Sequence, residues 1–189
     1  MRLPVRIDQF ATDPALDRQV YEAWGPAMIP AGANFFLSIG LTASTIQRNI
    51  ARWNADTAPQ REQVAHEVIN RTDRKLYGAR HYSQPPQTKF KFMILTESIN
   101  KYRKIIPAHL HGYFAIPDED LDRFYAVWES VDAGVARAAT DLGFRPDIMM
   151  QEYKTSEPGQ PEYGLKGWHH HADEIWTRQT IRRRDKTGS

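Results

Sequence analysis

The chain of 189 residues contains no cysteine. That excludes disulfides, thiolate-held zinc and iron–sulfur clusters, so a bound metal would have to rest on nitrogen and oxygen donors. No apolar run approaches the roughly 20 residues that cross a bilayer. The opening stretch, MRLPVRIDQF, lacks the apolar core of a secretory signal. A cytoplasmic protein with no membrane partner is therefore expected. No Gly-x-x-x-x-Gly-Lys-Ser/Thr phosphate loop occurs, so no nucleotide-driven motor is expected in this chain. Strong charge imbalance is missing as well, with a formal net charge of +2.

What charge there is lies unevenly. Lys89, Lys91, Lys101, Arg103 and Lys104 gather in one region, and Arg178, Arg182, Arg183, Arg184 and Lys186 crowd the C-terminus. Acidic residues collect between Asp118 and Asp122 and between Glu152 and Glu162. A near-neutral chain with local basic patches can bind a polyanion at those patches. The length suits one domain with a real core. The expected division is an N-terminal extension over 1–33, a folded domain over 34–176 and a basic tail over 177–189.

Asp13–Trp24 reads as a short helix, capped by Asp13 with Pro14 at its first position. Asn34–Thr42, NFFLSIGLT, reads as a strand with Phe35, Leu37, Ile39 and Leu41 on one face. Phe36, Ser38, Gly40 and Thr42 take the other, where small residues permit close approach. From Ala43 to about Gly78 the chain reads as two helices. Ser44 or Thr45 is the candidate cap of the first, and Pro59 opens the second, with Val64, Val68, Ile69 and Leu76 on its apolar stripe. His66 reads as exposed, and Arg80–Thr88 as a loop. Asp118–Leu142 is the clearest helix, with a buried stripe of Leu121, Phe124, Tyr125, Trp128, Val131, Val135 and Ala138, closed by Gly143. A strand over Asp147–Lys154 follows, then a short turn or broken helix between Glu162 and Trp176.

The central stretch, KFKFMILTESINKYRKIIPAHLHGYFAIP, reads as two strands joined by a basic connection over Ile99–Ala108. Residues two apart on a strand share a face. His109 and His111 therefore project together, and two imidazoles side by side can ligate one divalent ion. Glu97, on the preceding strand, can add an oxygen if the strands pair antiparallel. Its separation from His109 calls for a long hairpin loop. The bland reading of His-x-His is a half-buried polar face. The alternation of strands and helices predicts an α+β fold: a central antiparallel sheet of about four to five strands with flanking helices, ferredoxin-like in outline.

Tyr163 and Lys166 stand three apart, one face of a helical turn. Taken in order, the strand NFFLSIGLT, the pair His109-Leu110-His111 and the run Tyr163-Gly164-Leu165-Lys166 resemble the three motifs of the HUH endonucleases, and within them the single-tyrosine rolling-circle replication initiators. The resemblance spans roughly residues 34 to 170. It implies the palm-like nuclease sheet of that superfamily and nicking and joining of single-stranded DNA at a replication origin. Mg²⁺ or Mn²⁺ would sit on His109, His111 and Glu97. Tyr163 would be the nucleophile, leaving a 5′-phosphotyrosine, with Lys166 beside it. Lys91, Lys101, Arg103 and Lys104 would contact DNA. With no motor in the chain, a host helicase is an expected partner. Plasmid, phage and transposase or relaxase relatives share such a site. In this family the carboxylate often lies nearer the first histidine than Glu97 does.

Tyr153, followed by Lys154, is the rival nucleophile. His169, His170 and His171 read as a solvated polar turn. Two other classes compete. One is a non-catalytic single-strand-binding module that grips bases with Tyr102, Tyr113 and Trp168. The other is a metal hydrolase in which water attacks.

Overall fold

The computed structural model describes residues 29–43, 47–99, 104–153 and 175–177. Strands β1 (Phe35–Ala43), β2 (Lys91–Ile99), β3 (Ile105–Ala115), β4 (Phe144–Glu152) and β5 (Ile175–Thr177) form one sheet in the order β4-β1-β3-β2-β5. Every pairing is antiparallel. Helices α1 (Ile50–Asp56) and α2 (Ala58–Tyr77) join β1 to β2, and α3 (Leu121–Asp141) joins β3 to β4. The order 4-1-3-2 of the first four strands, with a helical crossover in each half, is a ferredoxin-like arrangement. The expected α+β fold is observed at that level.

The sheet has one face under the helices. Phe35, Leu37, Ile39 and Leu41 of β1 turn to that side and meet Val64, Val68, Ile69 and Leu76 of α2 and Phe124, Val131, Val135 and Ala139 of α3. Burying each such side chain contributes about 1.5–3 kcal/mol. The alternation read in β1 is thus the alternation of the fold. The α3 stripe is narrower than its sequence spacing suggests. Tyr125 lies one step around the helix from Phe124, is 53% exposed, and donates from its hydroxyl to Glu152 at 2.9 Å. Ala139, and not Ala138, is fully buried.

Several boundaries differ from expectation. Asn49 caps α1 through its side chain, accepting from Arg52 N at 3.0 Å; the candidates Ser44 and Thr45 fall outside the described residues. The loop before β2 contains two short 3-10 turns and buries His81, whose Nδ1 lies 3.1 Å from Gly78 O. Strand β3 begins at Ile105, so the basic connection is shorter than Ile99–Ala108. Strand β4 begins at Phe144 and includes Pro146; it is an edge of the sheet, where a residue without an N–H is tolerated. Gly143, at φ +90°, closes α3 as expected. Trp176 lies in strand β5 and pairs with Ile94. The predicted helix Asp13–Trp24 lies outside the described residues.

Candidate functional site

The second face of the sheet carries the histidines. Phe36, Met93, Leu95, Tyr113 and Tyr153 form a smaller buried cluster there. His109 and His111 alternate with Leu110, which belongs to the helix-side core. The two imidazoles are nearly parallel, 13° apart with ring centroids at 6.2 Å. Phe36 of β1 stacks on His111 at 5.4 Å and 21°, so an apolar ring fixes one imidazole plane.

Glu97 stands directly opposite His109, and Leu95 opposite His111. A β-bulge makes this possible without a long loop. Between the pairs Glu97–His109 and Ile99–Ile105, residues Ile106, Pro107 and Ala108 of β3 oppose Ser98 alone. The extra residues absorb the separation between Glu97 and His109, and Pro107 sits where the ladder is already interrupted. Glu97 is 4% and His111 2% exposed. Their side chains touch, His111 Nε2 to Glu97 Oε2 at 2.7 Å.

Burial pushes the His109 imidazole below its ordinary pKa. Repulsion from His111 acts the same way. Attraction to Glu97, the nearby Pro107 backbone and the charge of Asp147 act against it. The neutral ring is the form with a free lone pair. Gly40 of β1 pairs with His109 on one side and Asp147 of β4 on the other. A Cβ there would lie 3.5 Å from Asp147 Cβ and 3.9 Å from His109 Cδ2. One row across the sheet thus reads Glu97, His109, Gly40, Asp147.

Two imidazoles and a carboxylate on one face are a donor set suited to a divalent ion. Among the described residues, however, no group of three such side chains is arranged to hold one. Glu97 is engaged directly by His111, so those two side chains would have to part around an ion. A cleft of about 630 Å³ lies elsewhere, between α2 and α3, lined in part by Glu62, His66, Glu67 and Asp141. It is in the helical layer and takes no part in the histidine face. His66, read as exposed, is half-buried and 3.9 Å from Glu62.

Not all the other sequence candidates converge on this face. Lys104 is exposed at the start of β3, on the turn side of His109. Lys91 is exposed but lies opposite Ala115, six residues along β2 from Glu97 and so roughly 20 Å away. Lys89, counted in the basic cluster by sequence, is buried against Asp73 at 3.4 Å. Tyr113 is fully buried and has no surface for stacking on a base. Tyr153 is buried edge-on to Tyr113 at 5.2 Å, and burial raises its phenol pKa. Both facts weigh against Tyr153 as a nucleophile. Tyr163, Lys166, Lys101, Arg103, Tyr102, Trp168, His169, His170, His171 and the C-terminal basic run lie outside the described residues.

Sequence reasoning missed Asn34 and Asn54. Asn54 hydrogen-bonds the backbone within β3 and Asn34 that of Ile116 just past its end, and no periodicity marks either. No protein-family description, curated protein or solved structure matches the chain.

Proposed function

We propose that the protein is a metal-dependent, sequence-specific single-stranded DNA nicking and joining enzyme of the HUH endonuclease type, acting through Tyr163 as in rolling-circle replication initiation. One observation carries the reading: His109, His111 and Glu97 lie on one face of a paired strand couple, with Glu97 in register with His109 and in contact with His111. His109, His111 and Glu97 would hold Mg²⁺ or Mn²⁺, which when bound supplies positive charge at the scissile phosphate. The chain's own groups do the rest. The Tyr163 phenolic oxygen forms a bond to phosphorus as the bond from phosphorus to the 3′-oxygen breaks. The 3′-oxygen leaves as a hydroxyl after gaining a proton, and the 5′-phosphate stays on tyrosine. A phenol titrates near 10, so its proton needs a route out, and Lys166 one turn away is placed by sequence to assist. Attack by a 3′-hydroxyl on the phosphotyrosine reverses the step and joins strands. Lys91, Lys101, Arg103 and Lys104 would hold backbone phosphate. A host helicase would open the duplex.

A second reading is favoured by the closed contact of Glu97 with His111. A buried imidazole held directly by a buried carboxylate also fits a non-catalytic single-strand-binding module. One experiment separates the two. The protein is incubated with a pool of single-stranded DNA and Mn²⁺ and run on a denaturing gel. A covalent adduct that disappears in Tyr163→Phe is the expected result. Cleavage without an adduct points to attack by water. Binding with neither cleavage nor adduct, across metals and sequences, overturns the nuclease reading in favour of the binding module.

A further inference from the structure

The ladder between β1 and β3 ends at the pair Gly40–His109. Beyond it β1 continues only with β4, through Leu41–Pro146 to Ala43–Phe144. Strand β3 nevertheless extends back to Ile105, and its residues Ile106–Ala108 form the bulge opposite Ser98. Backbone groups in such a bulge lose their strand partners.

A side chain from α1 takes that place. Asn54 Nδ2 donates to Ile106 O at 2.9 Å, and Ala108 N donates to Asn54 Oδ1 at 3.0 Å. A primary amide offers one donor and one acceptor side by side, as a strand edge does. Asn54 is itself held. Arg61, fully buried, donates from Nη1 to Asn54 O at 2.7 Å and to Thr57 Oγ1 at 2.9 Å. At the opposite end of β3 the same device recurs. Asn34 Nδ2 donates to Ile116 O at 2.8 Å, and Ile116 N donates to Asn34 Oδ1 at 2.9 Å.

We infer that Asn54 is a positioning residue for His109: its amide fixes the Ile106–Ala108 bulge and so sets the direction in which the next side chain leaves β3. Bulges re-aim side chains beside functional sites, and Ala108, whose N–H Asn54 binds, immediately precedes His109. The inference rests on the metal-site reading only for its consequence in affinity; the geometric claim about His109 stands apart from it. Asn34 supplies a control, because its amide also pairs with one backbone donor and one acceptor, those of Ile116 just past the end of β3 far from His109.

The test compares Asn54→Ala with Asn34→Ala at a temperature where both are folded. Metal-free imidazole resonances are recorded by NMR, and Mn²⁺ affinity is measured by titration. Asn54→Ala is expected to shift or broaden the His109 ring signals and to weaken Mn²⁺ binding about tenfold, the lower end for residues that orient a ligand. Asn34→Ala is expected to leave both near wild type. Unchanged His109 signals in Asn54→Ala, or equal changes in Asn34→Ala, overturn the inference. Should Asn54→Ala not fold, Asn54→Asp keeps the acceptor for Ala108 N and loses the donor to Ile106 O. Its His109 signals are expected to move while those of Asn34→Asp do not; matching spectra in the two variants overturn the inference. If the His109 signals move in the Asn54 variant alone but the wild-type protein binds no Mn²⁺, the positioning role holds and the metal reading fails.

Discussion

Gly112 sits between His111 and Tyr113 and faces the helix-side core, flanked by its register partners Leu37 and Ile94. A Cβ at that position would stand 3.3 Å from Leu37 Cβ, 3.3 Å from Ile94 Cγ1 and 3.4 Å from Phe114 Cε2. Leu37 Cβ is fixed by its backbone, so relief must come from a movement of the strands. Overpacking of this kind costs about 1–3 kcal/mol. Replacing glycine in a strand returns about 0.5–1 kcal/mol of backbone entropy. Gly112→Ala is therefore expected to lose roughly 1–2 kcal/mol. Gly40→Ala is the internal comparison. Its nearest contact would be 3.5 Å, an ordinary van der Waals distance, so the entropy gain of about 0.5 kcal/mol should show. Urea unfolding followed by tryptophan fluorescence reads both, because Trp176 is buried in the core. With a slope of about 2 kcal/mol per molar, the Gly112→Ala midpoint should fall by roughly 0.5–1 M and the Gly40→Ala midpoint should rise slightly. A Gly112→Ala protein as resistant to urea as wild type would refute the claim that Leu37 and Ile94 are rigidly spaced around the histidine strand.

Three further outcomes are expected. Glu97→Leu takes the acceptor from buried His111 and should cost about 1–3 kcal/mol, with Glu97→Gln costing less; equal unfolding midpoints for the two would contradict the 2.7 Å contact. Lys89→Met takes one partner from the buried Asp73 carboxylate and should cost about 1–3 kcal/mol; a calorimetric midpoint equal to wild type would contradict the contact. Burial raises the pKa of the Asp132 carboxyl in the folded protein, so the folded state holds that proton more tightly and stability falls as pH rises through the carboxylate range. Asp132→Asn should therefore melt above wild type at neutral pH, and the difference should close on acidification; a difference that grows at low pH would reverse the sign.

The parts of the fold that were readable from sequence are those where burial repeats at a fixed period. The alternation Phe35, Leu37, Ile39, Leu41 and the spacing Val64, Val68, Ile69, Leu76 each mark one face, and the structure buries both. His109 and His111 follow from the same two-residue rule. The misreadings come from residues whose environment is decided elsewhere in the chain. Ile105, Ile106, Pro107 and Ala108 read as loop, because nothing local announces that a bulge will excuse the missing N–H of Pro107. Lys89 reads as one more surface cation until α2 brings Asp73 against it. Tyr125 fits a helical stripe by count, but it lies one step around the helix from Phe124 and reaches solvent and Glu152. Strand β5 has only three residues, too few to display a period. Asn34 and Asn54 are invisible to hydrophobic patterning, since their value lies in matching a backbone that arrives from far along the chain.

The sheet order also has a consequence for synthesis. Strand β1 leaves the ribosome before any strand it pairs with, and its ladder runs from Phe35 to Phe114 on one side and to Glu152 on the other. At about 5–20 residues per second, Phe35 waits on the order of ten seconds for those partners to be translated. Throughout that interval both backbone edges of β1 lack their strand partners, and until α2 follows, Phe35, Leu37, Ile39 and Leu41 have no helix to cover them. The strand that becomes nearly central is the one a nascent-chain chaperone would have to shield longest.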